Sequence, residues 1–299
     1  MPYARPYPLG TALFNEDVRT KEMGLKTLDY KVEGRVARIT LNRPERGNGI
    51  TLEMPRELAE CVERANLDPA VHVIALAGAG KSFCGGYDLV EFAEQEIPNH
   101  DPSQPWDPVV DWQMMSRNLR GFMSLFGSDK PVICKVHGFC VAGGTDMALC
   151  SDLLVIADDA RIGYPPARAW GVPTSALWAF RVGDQRAKRL LFTGDLIDGR
   201  TALDWGLAIE AAPAAELDER FEALVQRIAL TPINQLVMMK QLVNQALYAQ
   251  GLAATQSLGV FFDGIARHTP EGYAFAERAM EAGFKQAVRE RDEPYDAPA

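Results

Sequence analysis

The chain has 299 residues, of which 47% are hydrophobic, and it carries 31 Lys and Arg against 40 Asp and Glu. A chain of this length can bury a core of its own, whereas the negative net charge disfavours general nucleic-acid binding, and no local basic patch offsets it. The longest apolar runs, such as Val71–Ala77 and Pro131–Val136, have the length of strands and fall far short of the roughly 20 residues of a membrane helix. The sequence therefore predicts a globular protein that binds neither nucleic acid nor membrane, and Met1–Gly10, which lacks the features of a secretory signal, favours the cytoplasm.

Cysteine and histidine usage argues against disulfides and metals. The five cysteines are odd in number, show no CxxC spacing and lie in apolar surroundings, so reduced and mostly buried thiols are expected. No two of the four histidines lie within one helical turn of each other, which excludes a metal site of the HExxH kind. No metal is predicted.

The chain opens with a segment that has no clear period. Residues 1–25 are expected to form an N-terminal arm. Two alternating stretches on either side of Glu33 and Gly34 then predict a β-hairpin. Thr51 can cap a helix that tolerates Pro55 in its first turn, and the run Val71–Ala77 predicts a strand after that helix.

The middle of the chain alternates strands, turns and helices. The three prolines of Pro98–Trp106 predict a loop. A buried strand, Pro131–Val136, leads through a glycine-rich turn to a short helix near Thr145–Cys150, and Asp152–Ala157 predicts the next strand. Residues 26–200 are therefore expected to form an α/β core.

Beyond that core, residues 201–299 are expected to be helical. The long amphipathic stretches are Leu217–Ile228, Pro232–Leu247, Leu252–Ala266 and Glu271–Val288. The chain thus divides into an α/β core and a helical C-terminal region.

Two glycine motifs look like nucleotide-binding loops but do not meet their requirements. Gly80-Lys81-Ser82 ends like a P-loop, yet the position of its first glycine is Ala75, inside a predicted strand. Gly78-Ala79-Gly80 lacks the third glycine of a dinucleotide fingerprint. Nucleotide binding through either motif is therefore disfavoured.

Two other glycine turns, Gly85–Gly86 and Gly143–Gly144, lie between a strand and a predicted helix. Because glycine has no Cβ, such turns let backbone N–H groups approach a ligand closely. From the residues alone, two plain tight turns remain an alternative to a site where negative charge develops on an oxygen.

Four ordered blocks between about Asp29 and Pro213 are similar to those of one enzyme superfamily. The blocks are Ala37–Pro44 with Asn48, Phe83–Leu89, Lys135–Gly144, and Phe192–Asp195 with Ala202–Leu207. On these blocks the chain resembles the crotonase, or enoyl-CoA hydratase/isomerase, superfamily.

The resemblance implies an α/β fold built as a spiral of ββα units, with a C-terminal helical region that assembles homotrimers or hexamers. It implies that the N–H groups of Tyr87 and Gly143 form an oxyanion hole for the thioester of an acyl-CoA substrate. Coenzyme A is then part of the substrate, and no separate cofactor is expected. The loops implied to contact the CoA thioester carry Asn48, Gly49, Gly86 and Asp88.

The chain departs from the superfamily at both positions where its hydratases carry a glutamate. Asp146, three residues after Gly143, replaces the first glutamate and is expected to handle a proton, although a carboxylate there could also serve only the helix dipole. The segment Gly163–Arg168 has no carboxylate for the second position. Tyr164 or Arg168 could face the site instead, or could have solvated or stacking roles only.

The resemblance predicts hydration or isomerisation of a 2-enoyl-CoA thioester. One alternative is a diverged crotonase that isomerises, hydrolyses or cleaves a carbon–carbon bond of an acyl-CoA. Another is a CoA-ester-binding protein with little hydratase activity. The acyl group is not indicated, because its contacts would come largely from the poorly matched residues 93–125.

Overall fold

The computed structural model describes residues 23–92, 99, 101 and 103–295, and the strands in this part of the chain form two sheets. The strands are β1 (Leu28–Glu33), β2 (Val36–Leu41), β3 (Val73–Gly78), β4 (Val132–Val136), β5 (Phe139–Val141), β6 (Leu153–Ala157), β7 (Arg161–Gly163), β8 (Leu196–Asp198) and β9 (Glu210–Ala212). The larger sheet has the order β1-β2-β3-β4-β6-β9, and the smaller sheet has the order β5-β7-β8.

Helices of very different lengths connect and cover these strands. They are α1 (Met54–Leu67), α2 (Leu89–Phe92), α3 (Pro108–Gly127), α4 (Gly143–Leu149), α5 (Trp178–Val182), α6 (Asp184–Thr193), α7 (Gly199–Asp204), α8 (Leu217–Ala229), α9 (Ile233–Ala249), α10 (Leu252–Arg267), α11 (Pro270–Ala282) and α12 (Phe284–Asp292). Short 3₁₀ turns lie at Pro44–Arg46, Pro165–Arg168 and Glu293–Tyr295.

The first two strands form the predicted hairpin. β1 and β2 are antiparallel, with Leu28 opposite Leu41 and Glu33 opposite Val36. Gly34 closes the turn with a φ of +60°, a conformation that glycine adopts without steric cost. The helix predicted after Thr51 begins at Met54, whose N–H lies 3.3 Å from the Thr51 hydroxyl.

From β2 onward, the strands of the larger sheet pair in parallel. A parallel sheet is covered on both faces, which explains why the run from Val73 to Leu76 is apolar and buried throughout. Because the carboxyl ends of parallel strands share one edge of the sheet, the segments that leave β3 and β4 start close together. Both of the glycine turns discussed above belong to those segments.

The smaller sheet takes one strand from each repeating unit. β5 follows β4 and leads into α4, and β7 follows β6. β5 pairs in parallel with β7, which pairs in antiparallel fashion with β8. This strand–strand–helix succession is the predicted α/β spiral of ββα units.

The C-terminal region is mostly helical but differs from the prediction in two places. β9 pairs in parallel with β6, so the larger sheet continues beyond residue 201, where only helices were expected. Gly283, with a φ of +81°, separates α11 from α12 where one continuous helix was expected. Residues 1–22 of the expected arm lie outside the described residues.

The loop before α3 is closed by one side chain. The amide of Asn99 donates to the backbone oxygen of Asp107 (2.8 Å) and accepts from its N–H (2.9 Å). Pro98, His100 and Pro102 of the predicted loop are not among the described residues.

All five cysteines are free and buried, as the sequence predicted. Within the described ranges, no helix is both long and apolar enough to cross a membrane.

Candidate active site

A cavity of about 370 Å³ lies where the glycine turns, the segment after β7 and the C-terminal helices meet. Its walls are largely apolar, with Leu89, Met114, Met115, Trp170 and Phe275 among the contributors. A few polar groups converge on it, among them Tyr87, Asn118, Tyr164, Asp263 and Asp292. An apolar cavity with a small number of polar groups is the usual form of a small-molecule site.

The first glycine turn leaves one backbone amide facing away from its neighbouring segment. The N–H of Ile50 donates to the Gly86 carbonyl (2.9 Å), and the N–H of Asp88 donates to the Ile50 carbonyl (3.0 Å). Tyr87 lies between these two bonded residues, so its own N–H points away from Ile50. Gly86 has a φ of +92°, and a Cβ on it would lie 2.7 Å from the Ala142 Cβ. Only glycine allows the two turns to approach this closely.

The second turn contributes another amide. Gly143 is the first residue of α4, so its N–H has no acceptor inside that helix. The preceding residue, Ala142, has a φ of +54°, which is unusual for a residue with a side chain. Its carbonyl accepts from the N–H of Thr145 (2.9 Å) and from the Thr145 hydroxyl (2.7 Å). These bonds stabilise the turn that brings the Gly143 amide to the cavity wall.

The two predicted oxyanion-hole residues therefore share one wall. Tyr87 and Gly143 both line the cavity, and a Cβ placed on Gly86 would lie 3.5 Å from the Gly143 nitrogen. The Tyr87 ring extends over Gly143, and its hydroxyl accepts from the Asn118 amide at 3.3 Å. Two adjacent N–H groups at an apolar cavity can stabilise a negative charge that develops on a ligand oxygen.

Asp146 lies one turn further along α4 and is 1% exposed. Its Oδ1 accepts from the N–H of Ser175 (2.8 Å) and from the Ser175 hydroxyl (2.7 Å). Burial raises its pKa to about 7, although the bonds from Ser175 act in the opposite direction. Asp146 is not among the residues that line the cavity, but its charge adds to the burial that raises the pKa of Tyr87 and Tyr164. The carboxylate is therefore close to the site and suited to exchange a proton near neutral pH.

Tyr164 and Arg168, the two candidates from the segment without a carboxylate, lie in different places. Tyr164 lines the cavity, and burial raises its pKa well above the ordinary value. Arg168 is not among the residues that line the cavity, and the structure shows the stacking role that the sequence left open for it. Its guanidinium donates to Thr193 O (2.8 Å) and Asp292 Oδ1 (3.0 Å), and it lies 4.1 Å from the ring centroid of Tyr295. The 3₁₀ turn Pro165–Arg168 thus directs this side chain toward the end of α12.

The side chain of Asn48 holds its loop in place. Asn48 is 0% exposed, and its amide nitrogen donates to the carbonyls of Ala79 (2.9 Å), Ser82 (2.9 Å) and Phe83 (3.0 Å). Its Oδ1 accepts from the N–H of Arg43. With every polar atom engaged, the Asn48 side chain joins the two loops, and the expectation that its loop contacts the CoA thioester stays a prediction.

Asp88 is engaged in the same way. Its carboxylate pairs with Arg43 (2.9 Å) and Arg46 (2.6 Å), and the Arg43 guanidinium also donates to the carbonyl of Gly49 (2.6 Å). Burial pushes the pKa of Asp88 upward, but the two arginines outweigh this effect and leave it below the ordinary value. The side chain of Asp88 thus fixes the position of the Tyr87 amide next to it.

Five polar residues of the site were not predicted from the sequence: Asn118 on α3, Asp263 and Arg267 on α10, and Arg291 and Asp292 at the end of α12. Oδ1 of Asp263 accepts from the N–H of Val172 (3.2 Å), and its Oδ2 lies 3.4 Å from an Arg267 nitrogen. The sequence feature that could have indicated Asp263 and Arg267 is a pair of opposite charges four residues apart on an otherwise apolar helix.

No cluster of three or more His, Cys, Asp or Glu side chains that could hold a metal ion occurs among the residues described. The groups that converge on the cavity are amides, hydroxyls, carboxylates and guanidinium groups. They suit an organic thioester whose oxygen becomes negatively charged.

Comparisons with known proteins agree with this geometry. Residues 31–286 match the family model for enoyl-CoA hydratase/isomerase. The crystal structure of an enoyl-CoA hydratase from Mycobacterium smegmatis has a TM-score of 0.87 and 58% identity, covering 90% of this chain and 94% of that one. A hydroxycinnamoyl-CoA hydratase-lyase from Pseudomonas fluorescens is 32% identical over 204 residues, which are 67% of this chain and 71% of that protein. A 1,2-epoxyphenylacetyl-CoA isomerase from Escherichia coli is 30% identical over 220 residues, 72% of this chain and 80% of that protein. The chain belongs to the enoyl-CoA hydratase/isomerase family, the crotonase superfamily.

Proposed function

We propose that this protein is an acyl-CoA-processing enzyme that hydrates or isomerises a 2-enoyl-CoA thioester. The observation that carries the proposal is the pair of backbone N–H groups, on Tyr87 and Gly143, at one wall of an apolar cavity. The thioester oxygen would accept from both amides. The acyl group would occupy the apolar part of the cavity, beside Met114, Met115 and Trp170.

The amides would stabilise the transition state more than the bound substrate. When water adds to C3, or when a proton leaves a carbon conjugated to the thioester, negative charge moves onto the thioester oxygen. Fixed N–H donors gain energy as that charge develops and need no reorganisation at that moment. Removing one such donor typically costs about 10²–10³ in rate.

Asp146 would serve as one proton-transfer group. It lies one helical turn beyond the Gly143 amide, and Ser175 fixes the orientation of its carboxylate. A pKa near 7 lets a carboxyl both take up and release a proton at neutral pH. Coenzyme A enters only as part of the substrate, and the reaction requires no separate redox cofactor.

Isomerisation is the second candidate because the segment Gly163–Arg168 has no carboxylate. A double-bond shift can proceed with one group that removes a proton and returns it elsewhere, whereas hydration uses one group for water and another for C2. The relatives named above include both a hydratase and an isomerase.

We also propose that the C-terminal helices assemble the protein as a trimer or a pair of trimers. Several large apolar side chains on α9 and α10 are exposed in the single chain, among them Met238, Met239, Leu242, Val243, Leu258, Phe261 and Phe262. A contiguous exposed apolar surface of this kind marks an interaction site, and closed symmetry would bury it.

The test is to incubate the purified protein with short and long 2-enoyl-CoA esters while following the ultraviolet absorbance of the conjugated thioester and the product masses. Hydration removes the absorbance and adds the mass of one water, and isomerisation to a 3-enoyl-CoA removes it without a change in mass. Release of free CoA would identify a hydrolase. Binding without turnover of any ester would overturn the proposal in favour of a CoA-ester-binding role.

A further inference from the structure

Two carboxylates line the cavity in the part of the chain that the structure describes: Asp263 on α10 and Asp292 at the end of α12. Asp292 pairs with Arg291 (2.8 Å) and Arg168 (3.0 Å). Burial pushes the pKa of Asp292 upward, but the bonds and charges of the two arginines leave it below the ordinary value. A carboxylate held in its charged form by two arginines is poorly suited to carry a proton.

Asp263 is held much more weakly. Its closest polar contacts are the N–H of Val172 at 3.2 Å and the Arg267 guanidinium at 3.4 Å. The same guanidinium nitrogen lies 3.2 Å from Asp111, so its positive charge is shared between two carboxylates. Burial raises the pKa of Asp263, and Arg267 opposes the shift only in part. Of the two cavity carboxylates, Asp263 is therefore the one whose surroundings favour proton uptake.

Asp263 is also connected to the other proton-transfer group through its own helix. Gln256, two turns earlier on α10, donates to the carbonyl of Ser175 (3.1 Å), and Ser175 in turn holds the Asp146 carboxylate. The charge of Asp263 adds to the burial that raises the pKa of Tyr87, Tyr164 and Asp146. One helix therefore positions a carboxylate in the cavity wall and supports a second one behind the amides.

We propose that Asp263 is the second acid–base residue of this site and performs the proton transfer for which the segment Gly163–Arg168 offers no carboxylate. The inference rests on the proposed conversion of 2-enoyl-CoA. Asp263 would touch the reacting water from the cavity wall, while Arg267 and Val172 act as positioning residues that fix its carboxylate.

Hydration would transfer one proton to Asp263 and one from Asp146. The oxygen of water forms a bond to C3, the C2=C3 electron pair moves toward the thioester oxygen, and one proton of the water passes to Asp263. The enolate then returns its electron pair to C2, which forms a bond to the proton that Asp146 releases. The net change is the addition of one water, and solvent exchange restores both carboxyl groups.

Two reactions separate the roles of the carboxylates. The wild type is compared with Asp263→Asn and Asp146→Asn for hydration of a 2-enoyl-CoA and for exchange of the C2 protons of a saturated acyl-CoA in D₂O. Asp263→Asn is expected to lower hydration by about 10²–10⁴-fold while C2 exchange stays within about fivefold of the wild type, since only the water-activating group is lost. Asp146→Asn is expected to lower both reactions.

Asp184→Asn is the matched control, because it makes the same substitution at an exposed position of α6 that is not part of the cavity lining. It is expected to keep hydration within about tenfold of the wild type. Chemical rescue provides a second measurement that does not depend on the asparagine variant: formate in the buffer is expected to restore hydration to Asp263→Ala at least about tenfold, by taking the place of the missing carboxylate.

Different results separate the two levels of the hypothesis. If the wild type converts no enoyl-CoA, the proposed function fails. If the wild type hydrates its substrate but Asp263→Asn does so equally well, the inference about Asp263 fails alone. Equal losses in Asp263→Asn and Asp184→Asn, or no formate rescue of Asp263→Ala, would also overturn it in favour of a structural role.

Discussion

The ring of Tyr87 occupies the space that a side chain on Gly143 would need: a Cβ built on Gly143 lies 2.8 Å from Tyr87 Cε2 and 3.0 Å from Ile50 Cδ1. Gly143→Ala should therefore displace the ring or the turn, and with it one of the two amides. We expect a loss of about 10²–10³ in kcat on a 2-enoyl-CoA ester. Gly127→Ala, at the end of α3 with no atom within 4 Å of the added methyl, is the control and should keep its activity. A fully active Gly143→Ala enzyme would remove that amide from the proposed oxyanion hole.

Asp146→Asn is expected to abolish most turnover and leave binding of CoA esters largely intact. Because the pKa of Asp146 is about 7, a reaction that requires the carboxylate should gain kcat/KM as pH rises through about 7, and a reaction that requires the acid should lose it. Steady-state kinetics across this pH range, with calorimetry for binding, provides the measurement. Asp184→Asn, at an exposed position, is the control. Retained turnover in Asp146→Asn would exclude this carboxyl from the mechanism.

The same group should make the stability of the fold depend on pH. The folded-state pKa of Asp146 lies above the ordinary 3.8, so the folded protein binds more protons than the unfolded chain between these values. The contribution of Asp146 to stability is therefore present below about pH 4 and is lost as pH rises through about 7. Denaturation at several pH values should show the wild type losing stability relative to Asp146→Asn over this range. If the free energy of unfolding changes with pH by the same amount in the two proteins, the raised pKa of Asp146 is contradicted.

Asn48→Ala should destabilise the loops without removing any group from the cavity wall. The substitution leaves three buried carbonyls, those of Ala79, Ser82 and Phe83, without their donor, at a cost of about 2–4 kcal/mol. Asn48→Asp should cost more, because a carboxylate oxygen would then face those carbonyls. Urea denaturation measures both, with the exposed Asn234→Ala as the control. A change below about 0.5 kcal/mol would show that these bonds do not hold the loops.

The exposed apolar side chains of α9 and α10 lead to a prediction about assembly. Leu242, 70% exposed in the single chain, would be buried in the proposed trimer. Leu242→Glu should shift the mass measured by light scattering from the trimer or hexamer toward the monomer, because a buried unpaired carboxylate opposes association. Gln185→Glu introduces the same charge at an exposed position on α6 and should leave the mass unchanged. An unchanged mass for Leu242→Glu would place the interface elsewhere.

Local features were the ones that the sequence predicted well. The hairpin at Gly34 and the turn at Gly86 follow from backbone conformations that glycine encodes over a few neighbouring residues. The helices α8, α9 and α10 follow from periodicity alone. β9 was missed because three residues, Glu210–Ala212, are too few to show an alternating pattern.

The direction and partners of polar side chains were much harder to predict, because they depend on contacts between distant segments. Arg168 lies four residues after Tyr164, at the end of the 3₁₀ turn Pro165–Arg168, yet its partner Asp292 is 124 residues away. Asp263 reaches the cavity only because α10 packs against α3 and places its carboxylate beside Val172, 91 residues earlier. No local spacing in the sequence indicates that residues so far apart in the chain are in contact. The partners of Arg168 and Asp263 could therefore be identified only from the three-dimensional structure.

The two sides of α10 have different surroundings. Asp263 lines the cavity and Gln256 donates to Ser175, whereas Leu258, Phe261 and Phe262 are exposed on the single chain and would lie between subunits in the proposed trimer. The amides of Tyr87 and Gly143, by contrast, belong to turns attached to the sheets. Separation of the subunits would then leave the oxyanion hole in place while loosening the helix that positions both carboxylates. When the protein is diluted, its specific activity should therefore fall at a higher protein concentration than its affinity for a CoA ester does. The catalytic rate per site would then depend on the protein concentration.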